Sequence, residues 1–97
     1  MGLEYKEVKF TGHAVRRMFE RGIGVDDVLA VVKSGEIISD YPEDIPFPTY
    51  LILGFVESRP IHIVVAKDGP KKTCHIITAY PPDPVQWKAD FKSRRPS

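Results

Sequence analysis

Cysteine is almost absent: Cys74 is the single one among 97 residues. No disulfide can form within the chain, so the fold must rest on an apolar core, and a stapled secreted scaffold is excluded. That usage fits a reducing compartment. No basic stretch followed by an apolar run opens the chain, and no apolar run approaches the ~20 residues of a membrane helix. A cytoplasmic protein without a membrane partner is expected. Charge of one sign is missing too, since 14 Lys and Arg against 13 Asp and Glu leave a formal net charge of +1. With no global basic field, any nucleic-acid contact must use a local patch. The chain also lacks a Gly-rich phosphate loop, because Gly22-Ile23-Gly24 reads as a turn rather than as GxGxxG after a strand. Ser34, Ser39 and Ser58 sit in no GxSxG elbow. No aromatic-rich RNA-binding strand signature is present. His13, His62, His75 and Cys74 show neither CxxC nor HxxxH spacing, so no metal and no cofactor is expected.

What is present is the balance of a globular protein, 42% apolar and 28% charged. The length suits one domain with one core, expected over about residues 9–91, with residues 92–97 as a frayed polar tail. Chemistry concentrates in Thr11 to Ile23. At 100° per residue, Ala14, Val15, Met18 and Phe19 share one side of a short helix. His13, Arg16, Arg17, Glu20 and Arg21 share the other. His13, Arg17 and Arg21 fall at i, i+4 and i+8 and stack along one edge. Thr11 suits the N-cap and Gly22 the C-terminal stop.

Before this helix, Leu3 to Phe10 alternates imperfectly and suits a short edge strand. After it, Val25 to Ser34 reads as a second helix, with Asp26 and Asp27 in its first turn, Lys33 in its last, and an apolar stripe of Val25, Val28, Leu29 and Val32. From Glu36 the period becomes two. Strands are expected over Glu36–Tyr41, Thr49–Val56, Ile61–Ala66 and Thr73–Tyr80, separated by the Pro42–Pro48 loop, a turn at Glu57–Pro60 and a turn at Lys67–Lys72. Asp83 with Pro84 suits the start of a final short helix that docks Val85, Trp87 and Phe91. The expected fold is α+β: two N-terminal helices packed on a curved antiparallel sheet of about four strands, closed by a short C-terminal helix.

Each candidate residue has a structural use and a chemical one. The basic helix face is either solvated, with Arg16 paired to Glu20, or an anion site, with Arg16 and Arg21 on substrate. His13, in the first turn of the helix, is either an ordinary surface or packing residue or a base that accepts a proton. His62, inside an apolar strand, is either a hydrogen-bonded core histidine or an acid–base group facing a cleft. His75 reads as peripheral. Thr78 and Tyr80 project from one face of their strand, either as strand formers or as a hydroxyl pair that orients a phosphate and protonates a leaving group.

His13-Ala14, Arg17-Met18, Arg21-Gly22-Ile23, Gly35-Glu36-Ile37-Ile38, Ile61-His62-Ile63-Val64-Val65 and Ile76-Ile77-Thr78-Ala79-Tyr80-Pro81, in this order, resemble the family called domain of unknown function 4258. Its layout is similar to the small metal-independent ribonucleases of the RelE-like toxin superfamily. The resemblance implies RNA cleavage by the substrate's own 2′-hydroxyl, with His13, Arg17, Arg21, His62, Thr78 and Tyr80 at recurring polar positions. On this expectation His13 takes the 2′-hydroxyl proton and Arg17 and Arg21 hold the scissile phosphate. His62 or Tyr80 then protonates the 5′-oxygen, and Thr78 positions a phosphate oxygen. RNA or an antitoxin-like protein is the expected partner. The alternative is a non-catalytic module that binds RNA or an acidic protein through the same face.

Overall fold

The computed structural model describes residues 3–96. In chain order the elements are β1 (Glu7–Phe10), α1 (Gly12–Glu20), α2 (Val25–Ser34), β2 (Glu36–Tyr41), β3 (Thr49–Val56), β4 (Arg59–Asp68) and β5 (Thr73–Tyr80). They form one five-stranded sheet in the order β1-β5-β4-β3-β2. Short links make the last four strands an antiparallel meander. The first strand obeys a different constraint. It precedes both helices, and the chain returns from them at the far edge of the sheet, so β1 lies parallel to β5, with Glu7 beside Thr73 and Phe10 beside Ile76.

The expected fold is therefore corrected in three respects. The sheet has five strands and is mixed, where about four antiparallel strands were expected. The helices sit between β1 and β2 rather than leading the chain. No C-terminal helix forms among the described residues: Asp83 opens a single turn, accepting from Val85 N through its carboxylate and from Gln86 N and Trp87 N through its carbonyl. The chain then doubles back through a bridge between Trp87 and Arg94. The carbonyls of Pro84 and Trp87, which a helix would bond internally, go instead to the Arg95 guanidinium at 2.8 and 3.0 Å. The α+β class itself stands.

Both helices cover one face of the sheet, α1 against β5 and α2 against β3 and β4. Thr11 caps α1 by accepting from Ala14 N at 3.0 Å, and its hydroxyl also donates to the Ile76 carbonyl at 3.1 Å. Only the Ala14–Met18 row of α1 is buried. Val15 and Phe19, expected on the core side, face solvent, and Phe19 is 88% exposed. On α2 the buried row is Val28, Val31 and Val32, while Val25 is exposed. Val31 presses on β3 where Gly54 has no side chain: a Cβ there would stand 2.7 Å from both Val31 methyls.

A bulge in β5 decides what faces where. Val64 pairs with Thr78 but Val65 pairs with Ile76, leaving Ile77 extra. Strict alternation would put Ile76 and Ala79 on opposite faces. With the extra residue both join the core beneath the helices. His75, Thr78 and Tyr80 then share the other face with His62, Val64 and Ala66, their partners in the ladder. No helix among the described residues is long and apolar enough to cross a membrane.

Candidate functional site

His62 is the buried centre of the face away from the helices. It has no solvent exposure. The segment after β5 covers it through Trp87 and Phe91. The Trp87 ring stands edge-on at 4.5 Å between centroids, and Tyr80 stands edge-on from the neighbouring strand at 5.3 Å. Phe91 meets Phe55 edge-on, and Lys92 pairs with Glu36 at 2.8 Å, so the covering segment is held on both sides. Arg94 stacks over Trp87. The stretch read as a tail carries two of these contacts, through Lys92 and Arg94.

Both imidazole nitrogens are engaged, and the two contacts together set the ring's tautomer. Nε2 lies 2.7 Å from the Phe91 carbonyl oxygen. A carbonyl only accepts, so Nε2 carries the proton. In the neutral ring Nδ1 is then a bare lone pair. Its neighbour at 3.3 Å is the Tyr80 hydroxyl, which must donate to it. The neutral form is favoured because burial lowers the His62 pKa; the Phe91 carbonyl opposes that shift and Arg94 adds to it. Burial pushes the Tyr80 phenol up, Arg94 and Arg21 pull it partly back, and Tyr41 adds to the rise. The result is a directed chain in which the phenol donates to the imidazole and the imidazole to the carbonyl. Tyr80 itself is partly exposed.

Arg21 reaches the same strand from the end of α1. Its guanidinium donates to the Ala79 carbonyl at 2.8 Å and approaches the Thr78 hydroxyl at 3.5 Å. It can do so because β1 covers β5 only from Thr73 to Ile76, leaving the Ala79 carbonyl free at the sheet edge. Arg59 in turn fixes this end of α1, donating to the Arg21 and Gly22 carbonyls at 2.7 and 3.1 Å. These carbonyls carry the helix's negative end, which a guanidinium suits.

Arg21, His62, Thr78 and Tyr80 are thus brought together. His13, Arg16 and Arg17 are not part of that group. His13 is exposed in the first turn of α1, which Thr11 ties to Ile76. From Arg21 it is separated by eight residues, roughly 12 Å of helix. Arg16 is exposed. Arg17 pairs with Glu20 at 3.1 Å, where the spacing had offered Arg16 to Glu20. The residues that sequence reasoning did not assign to the site are Trp87, Phe91, Arg94 and Tyr41. Phe91 enters through its carbonyl, which no residue pattern signals. Trp87 had a usable signal, being the only tryptophan. Among the described residues no three His, Cys, Asp or Glu side chains gather as metal ligands.

Two clefts of the surface lie elsewhere. One, of about 430 Å³, runs between α2 and the covering segment and includes Ser34, Glu36, Phe55 and Lys92. The other, of about 340 Å³, includes Asp27, Glu57 and Arg59. Neither reaches His62 or Tyr80.

The family described as domain of unknown function (DUF4258) matches residues 10–81. The chain belongs to this family. No curated protein and no solved structure matches it. The DUF4258 span contains Arg21, His62, Thr78 and Tyr80 but ends before Trp87, Phe91 and Arg94. The carbonyl that orients His62 therefore comes from outside the matched region.

Proposed function

We propose that this DUF4258 protein is a metal-independent endoribonuclease, RelE-like in chemistry, working in the cytosol on RNA. The carrying observation is the fixed direction of the chain Phe91 carbonyl, His62, Tyr80. A ribose 2′-hydroxyl placed on the Tyr80 oxygen gives up its proton to that oxygen as the Tyr80 proton moves to His62 Nδ1. The imidazolium so formed is held by the Phe91 carbonyl. The 2′-oxygen attacks phosphorus, Arg21 and Arg94 stabilise the added negative charge, and Thr78 steadies a phosphate oxygen. The bond to the 5′-oxygen breaks, and the proton returns through Tyr80 to that oxygen. Products are a 2′,3′-cyclic phosphate and a 5′-hydroxyl. This assignment moves the base from His13, where the sequence put it, to His62 acting through Tyr80.

The test is cleavage of end-labelled mixed-sequence RNA in EDTA by wild type, Tyr80→Phe, Arg21→Met and His13→Ala. A general acid–base group contributes ~10²–10⁴-fold, and Tyr80→Phe should lose that much. A folded wild type without activity, or a Tyr80→Phe that cleaves at the wild-type rate, sinks the proposal. A second reading has its own observation. The outer face of α1 leaves Phe19 and Val15 exposed beside His13 and Arg16. Such a face suits an acidic, partly apolar protein such as an antitoxin, and binding there would be lost in Phe19→Ser without any change in RNA cleavage.

A further inference from the structure

Two aromatic rings on the His62 face take no part in that chain of hydrogen bonds. Phe47, from the loop between β2 and β3, lies flat on His75 of β5, with ring centroids 5.7 Å apart and planes within 1°. His75 shares the open face with Thr78 and Tyr80 because the bulge falls between them. The ladder partner of His75 on β4 is Ala66, which also pairs with Thr49 and has only a small side chain. Each ring uses one side on the other, and both remain half-exposed. Lys9 of β1 is exposed and lies opposite His75, on the same face. Tyr41, half-exposed, lies in the same row through Thr49. In the loop that carries Phe47, the Asp44 carboxylate accepts from the Thr49 hydroxyl.

This row lies about four strand steps from Tyr80, roughly 13 Å. That is too far for the nucleotides at the cleaved bond and suits one further along the same strand of RNA. Resting on the ribonuclease reading above, we infer that the Phe47–His75 stack is a platform for an unpaired base of single-stranded RNA, with Lys9 meeting the phosphate beside it. A flat pair of rings accepts any base, since every base has a π-face, and so confers affinity for a strand rather than for a sequence. A duplex offers no free base face, so duplex RNA is discriminated against.

The test uses fluorescence anisotropy with a labelled single-stranded 2′-O-methyl oligonucleotide, which lacks the attacking hydroxyl, and with the same strand in a duplex. Wild type, Phe47→Leu, His75→Ala and Lys9→Ala are compared, each first shown folded by its thermal transition. Base stacking on an aromatic ring predicts affinity lowered about 5- to 100-fold in Phe47→Leu and His75→Ala. Lys9→Ala should reduce the salt dependence by the equivalent of about one phosphate contact. The duplex should bind more weakly than the single strand. If Phe47→Leu and His75→Ala bind as wild type while wild type cleaves RNA, the platform is overturned and the ribonuclease stands. If wild type binds the strand through these rings yet cleaves nothing, the platform stands and the catalytic reading falls. If wild type neither binds nor cleaves, both fall.

Discussion

The Tyr80 hydroxyl donates to His62 Nδ1 at 3.3 Å, and the direction of that bond is imposed from the far side of the ring by the Phe91 carbonyl. A main-chain oxygen here does the orienting that a carboxylate does in other relays. It carries no full charge, so the imidazole it orients stays neutral until a proton arrives. The segment that supplies it is held by Trp87, which is 5% exposed, and by the pair of Lys92 with Glu36.

Tyr80→Phe should separate stability from catalysis. The variant leaves His62 Nδ1 without a donor in a buried place. A buried acceptor left unpaired costs about 1–3 kcal/mol. Urea denaturation should show a loss in that range, against a far larger relative loss in RNA cleavage. A full loss of folded protein would mean that the pair is structural.

The pH dependence has a definite sign. Burial lowers the His62 pKa in the folded chain. In the unfolded chain the residue takes up its proton near the ordinary value, about 6.5. Below that pH the unfolded state binds more protons, so stability falls as pH falls through the window down to the folded pKa. Above it the contribution is complete. The difference in unfolding free energy between wild type and His62→Gln should therefore shrink on acidification from pH 7 to 5. A difference that is constant with pH would show that His62 does not titrate in this way. The acid limb of kcat/KM should also lie below an ordinary imidazole's pKa, since His62 must be neutral to accept.

How much of this was legible in the sequence depends on which force set each feature. The bounds of β2, β3 and β5 coincide with what turn residues and period-two alternation mark. Those are local signals. The parallel pairing of Phe10 with Ile76 is a non-local choice, and the short-link rule that governs successive strands says nothing about it. Tyr80 and Thr78 share a face as their spacing implied, yet Ile76 and Ala79 also share one, because a single bulged residue resets the parity. The C-terminal helix was expected from Asp83 and Pro84, which are sound N-terminal signals. What ended it after one turn was the burial of Trp87 on His62, a tertiary contact. For the site, residue types pointed to Arg21, His62, Thr78 and Tyr80, whereas the Phe91 carbonyl has no side-chain signature at all.

Glycine at two positions near Val31 should prove intolerant for different reasons. A Cβ on Gly35 would lie 2.5 Å from the Val31 carbonyl and 2.7 Å from the Leu53 carbonyl. Both are backbone atoms that cannot step aside. A Cβ on Gly54 would meet the Val31 side chain at 2.7 Å, which is stiff but not fixed. Overpacking of a core costs typically about 1–3 kcal/mol. Gly54→Ala should fall in that range by urea denaturation, and Gly35→Ala should exceed it. The reverse order would show that α2 moves more readily than the Val31 side chain turns.

The hairpin between β3 and β4 offers a gain in stability. Its two turn residues, Glu57 and Ser58, have φ of 51° and 70°, both left-handed. This is the conformation a two-residue hairpin turn requires, and Asn-Gly is the pair that adopts it most readily. An L-residue with a Cβ pays roughly 1–2 kcal/mol there, whereas glycine adopts it freely at some loss of unfolded-state entropy. Glu57→Asn with Ser58→Gly should therefore raise unfolding free energy by about 0.5–1 kcal/mol. The turn lies at the far end of β4 from the Phe47–His75 stack, but only a few residues from His62 along the same strand. RNA cleavage per folded molecule should stay unchanged if the relay is already rigid. A gain in stability with altered cleavage would mean that the turn's strain is transmitted along β4 to His62.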